Sequence, residues 1–348
     1  LQNYKQKFNY MFKKFEYVEN FILTLKKYFN NSYILIVFLL FLSGFLGPNL
    51  WKIVPVEFNF SKFQRNFSKE IKNFEKLDKF EATRNYLSND QINDKKIVLA
   101  WSNKILKKVE NNKPLPRMYF SYIPNNIDKY EIHEKKKVFL SLLLPIALRG
   151  NELVLQERKL IDSIFKKNNI YKIEYFSKKY KIKNFKKINY SNLTNNQLTE
   201  IKKELLIKIN KIPISMILAQ AIIESGWGSS RFAKEGHALF GEWTWEDDVG
   251  IKPKENLDAN FSVKKFKNLL ESMNSYILNL NRHPAYKNMR SYRNLMNKTG
   301  KIITGYDTAN YLESYAEIGF AYVTKVIKMI KSNKLTTFEN VKLEVYNY

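Results

Sequence analysis

The stretch PISMILAQAIIESGWGSSRF, residues 213–232, decides how this chain is read. From Ile214 to Ile223 it is apolar on almost every side, which predicts a helix buried in a core rather than one lying on a surface. Pro213 sits where a helix begins, and Gly226 sits where one ends, supplying the left-handed residue that a C-cap requires. Between them, in the last turn, stands Glu224. The negative end of the helix dipole and partial burial both disfavour a second negative charge there, so both raise its carboxyl pKa. A carboxyl that keeps its proton near neutral pH is what a general acid needs, and breaking a glycosidic bond needs such an acid at the leaving oxygen. The competing reading is a solvated glutamate that merely ends a helix. Glutamate is poorly suited to that end, which favours a chemical role.

The residues just downstream support a sugar site. Trp227, Phe232, Phe240, Trp243 and Trp245 follow within about twenty residues, and three of the chain's five tryptophans are among them. Flat apolar rings stack on the C–H faces of pyranoses. Trp227, Phe240, Trp243 and Trp245 are therefore candidates for substrate contact, with Phe232 and Phe240 also readable as plain core.

Further out, the helical pattern continues on both sides. Leu198, Ile201, Leu205 and Ile209 mark an amphipathic helix before Pro213, and Leu269, Met273, Tyr276 and Leu280 mark another over about 265–281. Residues 138–148 are apolar but contain Pro145, so a kink or break is expected, with helix resuming over 152–167 and again over 171–181. Residues 113–127, with three prolines and several aromatics, read as an extended strap. Residues 55–112 read as a stalk or linker, and 336–348 as a tail.

The 348-residue chain carries a net charge of +26 and no cysteine. Disulfides and thiolate metal sites are excluded. Lysine is spread through the whole chain without a concentrated basic run, so a nucleic-acid partner is not expected. With three histidines, a zinc site is not expected either, and the chemistry calls for no cofactor. His283 reads as structural.

Residues 29–50 contain no charge, and 33–54 can supply the roughly 20 apolar residues of a membrane span. Lysines at 5, 7, 13, 14, 26 and 27 precede it, which by the positive-inside rule keeps residues 1–32 cytoplasmic and exports the remainder. The expectation is a single-pass inner-membrane protein whose domain stands in the periplasm.

ESGWGSSRFA at 224–233 and EGHALFGEW at 235–243 resemble the bacterial glucosaminidase family of FlgJ-type peptidoglycan hydrolases, most closely its Bax subgroup. The likeness extends over FLSLLLPIALRGNELVLQERKLI (139–161), SVKKF (262–266), ESMNSYILNLNRHPAYKNMR (271–290) and YAEIGFAYVTKVIKMI (315–330). It implies a mainly α, lysozyme-like domain over 113–335, with a helical N-terminal part (113–195), a catalytic core (196–335) and a small β-hairpin lobe. It implies an endo-β-N-acetylglucosaminidase cutting peptidoglycan on the reducing side of N-acetylglucosamine. The rival readings are a lytic transglycosylase and a catalytically silent wall-binding scaffold.

Carried over residue by residue, Glu224 takes the place of the family's acid and Tyr315 that of its late tyrosine, with Glu224 a candidate partner for the Tyr315 hydroxyl. A second carboxylate is expected in the lobe at 241–266, among Glu242, Glu246, Asp247, Asp248, Glu255 and Asp258, with Glu255 favoured for its closeness to SVKKF. Asn281 and Tyr286 are further sugar-binding candidates. The sequence departs from the family at His237 and Ala238, where relatives commonly carry Asn-Asn, and at Ile318, where an arginine is usual.

Overall fold

The computed structural model describes residues 92–246, 250–253 and 260–345. All of them belong to one compact unit that begins at Phe80. The expected span at 33–54 and most of the expected stalk lie outside the described residues.

The unit is mainly helical. In chain order its elements are α1 (Lys95–Glu110), α2 (Ile132–Lys166), α3 (Ile170–Lys179), α4 (Asn195–Lys208), α5 (Ile214–Ser225) and α6 (Arg231–Gly236). Three short strands follow, β1 (Trp243–Thr244), β2 (Gly250–Ile251) and β3 (Ser262–Lys264). The chain then forms α7 (Leu269–Arg282), α8 (Lys287–Asn297), α9 (Gly305–Ala309) and α10 (Phe320–Ser332). The strands pair antiparallel in the order β1-β3-β2, so the lobe is a three-stranded sheet rather than the simple hairpin expected. Its root is tied down by the Phe266 amide donating to the Gly236 carbonyl at 2.9 Å.

The central element is α2, a single helix of 35 residues. The break expected at Pro145 does not occur. Packing on several sides buries the run from Leu142 to Ala147, and that burial outweighs the lost backbone hydrogen bond of the proline. Among the described residues α2 is the one helix long and apolar enough to cross a membrane, with a mean hydropathy of 1.7 over its best window, yet 72% of that window is buried inside the domain. It is a core helix.

Residues 92–112 correct the stalk expectation. Asp94 caps α1 by accepting from the amides of Lys96 and Ile97, and Val98, Trp101 and Ile105 are buried as α1 packs on α2. The segment 113–127 contains no α-helix, bends at 121–122, turns at 125–126 and runs into a 3-10 turn at Ile127–Lys129, with Tyr119, Phe120 and Ile123 buried. Its Leu115 bridges in parallel to Leu343. The expected tail from 336 is thus part of the fold: Phe338 is buried, and Glu339 reaches the start of α5. On α7 the predicted core face is buried throughout, but the helix starts later than the periodicity suggests because Asn268 caps it, accepting from the Glu271 amide at 2.9 Å.

Candidate active site

Helix α5 is held at both ends. At its N-terminus the Glu339 carboxylate accepts from the amides of Ile214 (2.9 Å) and Ser215 (3.0 Å) and from the Ser215 hydroxyl. These are donors that a helix otherwise leaves without partners. At its C-terminus Gly226 adopts φ 56° as the predicted cap, and Trp227 (φ 57°) and Gly228 (φ 80°) continue in the left-handed region. A Cβ on Gly228 would stand 3.0 Å from both Ile123 and Phe139, so this turn lies against the core. The backbone beyond Glu224 is therefore fixed, and with it the direction of the carboxyl group.

Glu224 is half-buried. Burial raises its pKa, while a hydrogen bond from Tyr322 and the charge of Lys325 pull the other way. The Tyr322 hydroxyl donates to Glu224 Oε1 at 2.6 Å. Gln220 Nε2 donates to the Tyr322 hydroxyl at 3.1 Å, and the Tyr276 hydroxyl donates to Gln220 Oε1 at 2.6 Å. Gln220 and Glu224 are one turn apart on α5, so they lie on the same face of the helix. The chain Tyr276–Gln220–Tyr322–Glu224 is directional, each group donating to the next. It occupies Oε1. No hydrogen bond reaches Oε2 among the described residues, and a Cβ on Gly241 would stand 3.7 Å from it. The glycine keeps the approach to that oxygen open.

The late tyrosine motif is therefore reassigned. Tyr322, not Tyr315, holds Glu224. The Tyr315 hydroxyl donates to the Phe240 carbonyl at 3.2 Å, and its ring stacks on Tyr322 with centroids 5.2 Å apart. Tyr315 thus buttresses the tyrosine that contacts the acid.

The aromatic candidates separate into two groups. Trp243 and Trp245 are 52% and 72% exposed, on either side of the buried Thr244. Trp243 stacks on Phe261 at 4.6 Å. Trp227 is half-buried, its ring meeting that of Phe139 edge-to-face with centroids 5.9 Å apart and Lys136 Nζ 5.2 Å from its centroid. Phe240, by contrast, is buried and stacked on Tyr276 at 3.8 Å, which removes it from substrate contact.

Asn281 and Tyr286 are corrected in the same way. Asn281 is fully buried and donates to the Asn210 carbonyl at 2.8 Å. Tyr286 is buried with its ring against Tyr315 at 6.5 Å. His283 takes the structural role expected of it, its Nδ1 accepting from the Ala285 amide at 3.3 Å. With Arg293, which donates to the carbonyls of Ile207, Lys208, Asn210 and Lys211, this segment sets the path of the chain into α5.

Of the six lobe acids, Glu242 and Glu246 are described, and Asp247, Asp248, Glu255 and Asp258 lie outside the described residues. Glu246 is exposed. Glu242 is half-buried, its Oε2 accepts from the Ser275 hydroxyl at 2.7 Å, and burial raises its pKa. A cavity of about 390 Å³ lies at the other end of α5, lined by Ile212, Pro213, Ile214, Arg293 and Glu339. It is separated from Glu224 by the length of the helix, about 18 Å at 1.5 Å per residue.

Residues 200–335 match the glucosaminidase family, described as mannosyl-glycoprotein endo-beta-N-acetylglucosaminidase. Protein bax of Escherichia coli (strain K12) is 26% identical over 208 residues, which cover 58% of this chain and 70% of bax. The catalytic domain of the autolysin Auto from Listeria monocytogenes is 20% identical, with the match covering 53% of this chain and 87% of that domain at a TM-score of 0.25.

Proposed function

We propose that this chain, whose residues 200–335 match the glucosaminidase family and which is similar to Protein bax, is a peptidoglycan hydrolase, an endo-β-N-acetylglucosaminidase cutting on the reducing side of N-acetylglucosamine. The observation that carries this is the state of Glu224: a carboxyl with a raised pKa, one oxygen held by Tyr322 and the other open to an incoming glycosidic oxygen. Protonated on Oε2, Glu224 donates to the leaving oxygen as the sugar bond breaks. Negative charge then develops on the carboxylate, and the Tyr322 hydroxyl stabilises it through a bond that strengthens as the charge grows. Gln220 keeps the tyrosine proton directed at Glu224 rather than elsewhere. Trp243 and Trp245 supply the ring faces on which successive sugars stack.

A carboxylate of the lobe activates water on the opposite face of the sugar, and Glu255, seven residues ahead of β3, is the one we assign. The apolar run at 33–54 anchors the chain in the inner membrane with residues 1–32 in the cytoplasm and the domain in the periplasm. Mass spectrometry of digested sacculi tests the reaction. The expected products carry a free reducing N-acetylglucosamine, and Glu224→Gln releases none while its circular dichroism is unchanged. Anhydro-sugar products would make the protein a lytic transglycosylase. Full activity in Glu224→Gln would overturn the assignment of the acid.

A further inference from the structure

The even spread of charge expected along the chain fails at one place. Between residues 166 and 187 there are nine lysines and one glutamate. The structure gathers this stretch at the end of α2, in α3 and in the turn that follows α3. The turn is firmly mounted. Tyr180, Ile182 and Tyr190 are buried, the Tyr180 hydroxyl donates to Glu157 at 2.6 Å, and Lys208 Nζ donates to the Lys181 carbonyl at 2.9 Å.

The nearby carboxylates are already engaged. Glu174 pairs with Lys178, Glu157 with Lys179 and Asp162 with Lys202, while Glu204 accepts from the Lys183 amide. Among the described residues no carboxylate pairs with the side chains of Lys167, Lys181, Lys183, Lys186 or Lys187, and all five are exposed. Two tyrosines stand amid them on one face of α3: Tyr171 is 65% exposed and Tyr175 58%. They are four residues apart and so lie one above the other, while Ile173 and Phe176 pack inward.

Position gives this face its meaning. The first turns of α2 lie at the acid end of the molecule, where Lys135 donates to Ser229 at 2.6 Å and Lys136 lies over Trp227. The last turn of α2 carries Lys166. Thirty residues separate Lys136 from Lys166, which along a helix axis is about 45 Å. The lysine-rich face is thus too far from Glu224 to share one short stretch of its substrate.

We propose that this face docks on an anionic phospholipid surface. Unpaired lysines meet the headgroup phosphates, and tyrosines suit the boundary between headgroups and hydrocarbon, where an amphipathic ring is at home. A soluble polyanion would use the lysines but gives no reason for two tyrosines exposed on one face beside them. The docking directs the Glu224 end away from the bilayer. Only that consequence rests on the proposed wall-hydrolase reading, since the docking itself is read out without any glycan.

The chain has no cysteine, so a single fluorophore can be placed at will. The full chain carrying Tyr175→Cys is labelled and reconstituted into vesicles of phosphatidylglycerol or of phosphatidylcholine, each with spin-labelled lipid as quencher. At least twofold stronger quenching in phosphatidylglycerol is expected, with none for a label at Trp245→Cys. The combined change Lys181→Glu, Lys183→Glu, Lys186→Glu and Lys187→Glu reduces the signal to the phosphatidylcholine level while hydrolysis of soluble glycan is retained. Equal quenching in the two lipids, equal quenching at 175 and 245, or insensitivity to charge reversal overturns the proposal. So does a label that responds to poly(glycerol phosphate) but not to phosphatidylglycerol, which would make the face a site for a soluble polyanion.

Discussion

Tyr322→Phe removes one oxygen atom from the structure, and its consequences can be worked through. The lost hydroxyl donates to Glu224 Oε1 at 2.6 Å and accepts from Gln220 Nε2 at 3.1 Å. A hydrogen bond to a charged group contributes about 1.5–3 kcal/mol. During the reaction Glu224 passes from neutral to charged, so most of that contribution is felt after the proton has begun to leave. The expected loss in kcat is therefore about 10- to 150-fold, at 1.36 kcal/mol per factor of ten. The substitution also has a sign. The bond from Tyr322 lowers the pKa of Glu224 against the rise caused by burial, so its removal raises that pKa further. In a pH–rate profile of kcat on a defined glycan, the alkaline limb, which reports deprotonation of the acid, moves to higher pH. Tyr315→Phe is the control. Its hydroxyl serves the Phe240 carbonyl, so it costs about 1 kcal/mol of stability and leaves the alkaline limb in place. An unchanged kcat and an unmoved limb in Tyr322→Phe would refute the claim that this tyrosine serves the acid, as would a limb that moves to lower pH.

Three further outcomes are expected. Because burial raises the folded-state pKa of Glu224, the native state binds its proton more tightly than the unfolded chain does; stability from this group is complete below the unfolded value of about 4.3 and declines as pH rises through the folded value. Glu224→Gln, inactive but still able to accept from Tyr322, therefore melts at a higher temperature than the parent at pH 7.5, and differential scanning calorimetry finds that advantage gone below about pH 4. Glu339→Ala strips the N-terminus of α5 of its charged cap and lowers unfolding free energy in urea by about 2–3 kcal/mol, a loss that a purely solvent-facing glutamate would not produce. Trp245→Ala, at an exposed position, raises KM for oligomeric glycan about tenfold with the melting temperature unchanged, in line with a stacking contribution of about 1.4 kcal/mol.

Much of the acid's setting is written in adjacent residues. The apolar run from Ile214, the glycine cap at 226 and the carboxylate before it depend on helix periodicity and on the backbone freedom of glycine, both local properties, and all three were legible. The exposed tryptophans of the lobe were legible too, though their type could not be distinguished from that of Phe240. An aromatic ring can serve a core or a sugar, and only the neighbours it meets decide between them. Tyr286 was misread for this reason, and Asn281 because its amide serves a buried carbonyl as readily as a sugar hydroxyl. So was the stretch at 92–112, whose periodicity is weak until α2 provides a surface on which Trp101 and Ile105 can be buried.

The sequence alone establishes that an apolar helix ends in an acid, because that statement involves only near neighbours along the chain. The folded molecule decides what serves that acid. Tyr322 lies 98 residues from Glu224, and Glu339 lies 125 residues from the amide it caps. No pattern of spacing links such positions. They meet because the burial of α2, α5, α7 and α10 against one another brings these buried polar groups within reach of their partners. A chain of hydrogen bonds, Tyr276 to Gln220 to Tyr322 to Glu224, is the result of that packing, and it fixes which oxygen of the carboxyl accepts from the tyrosine.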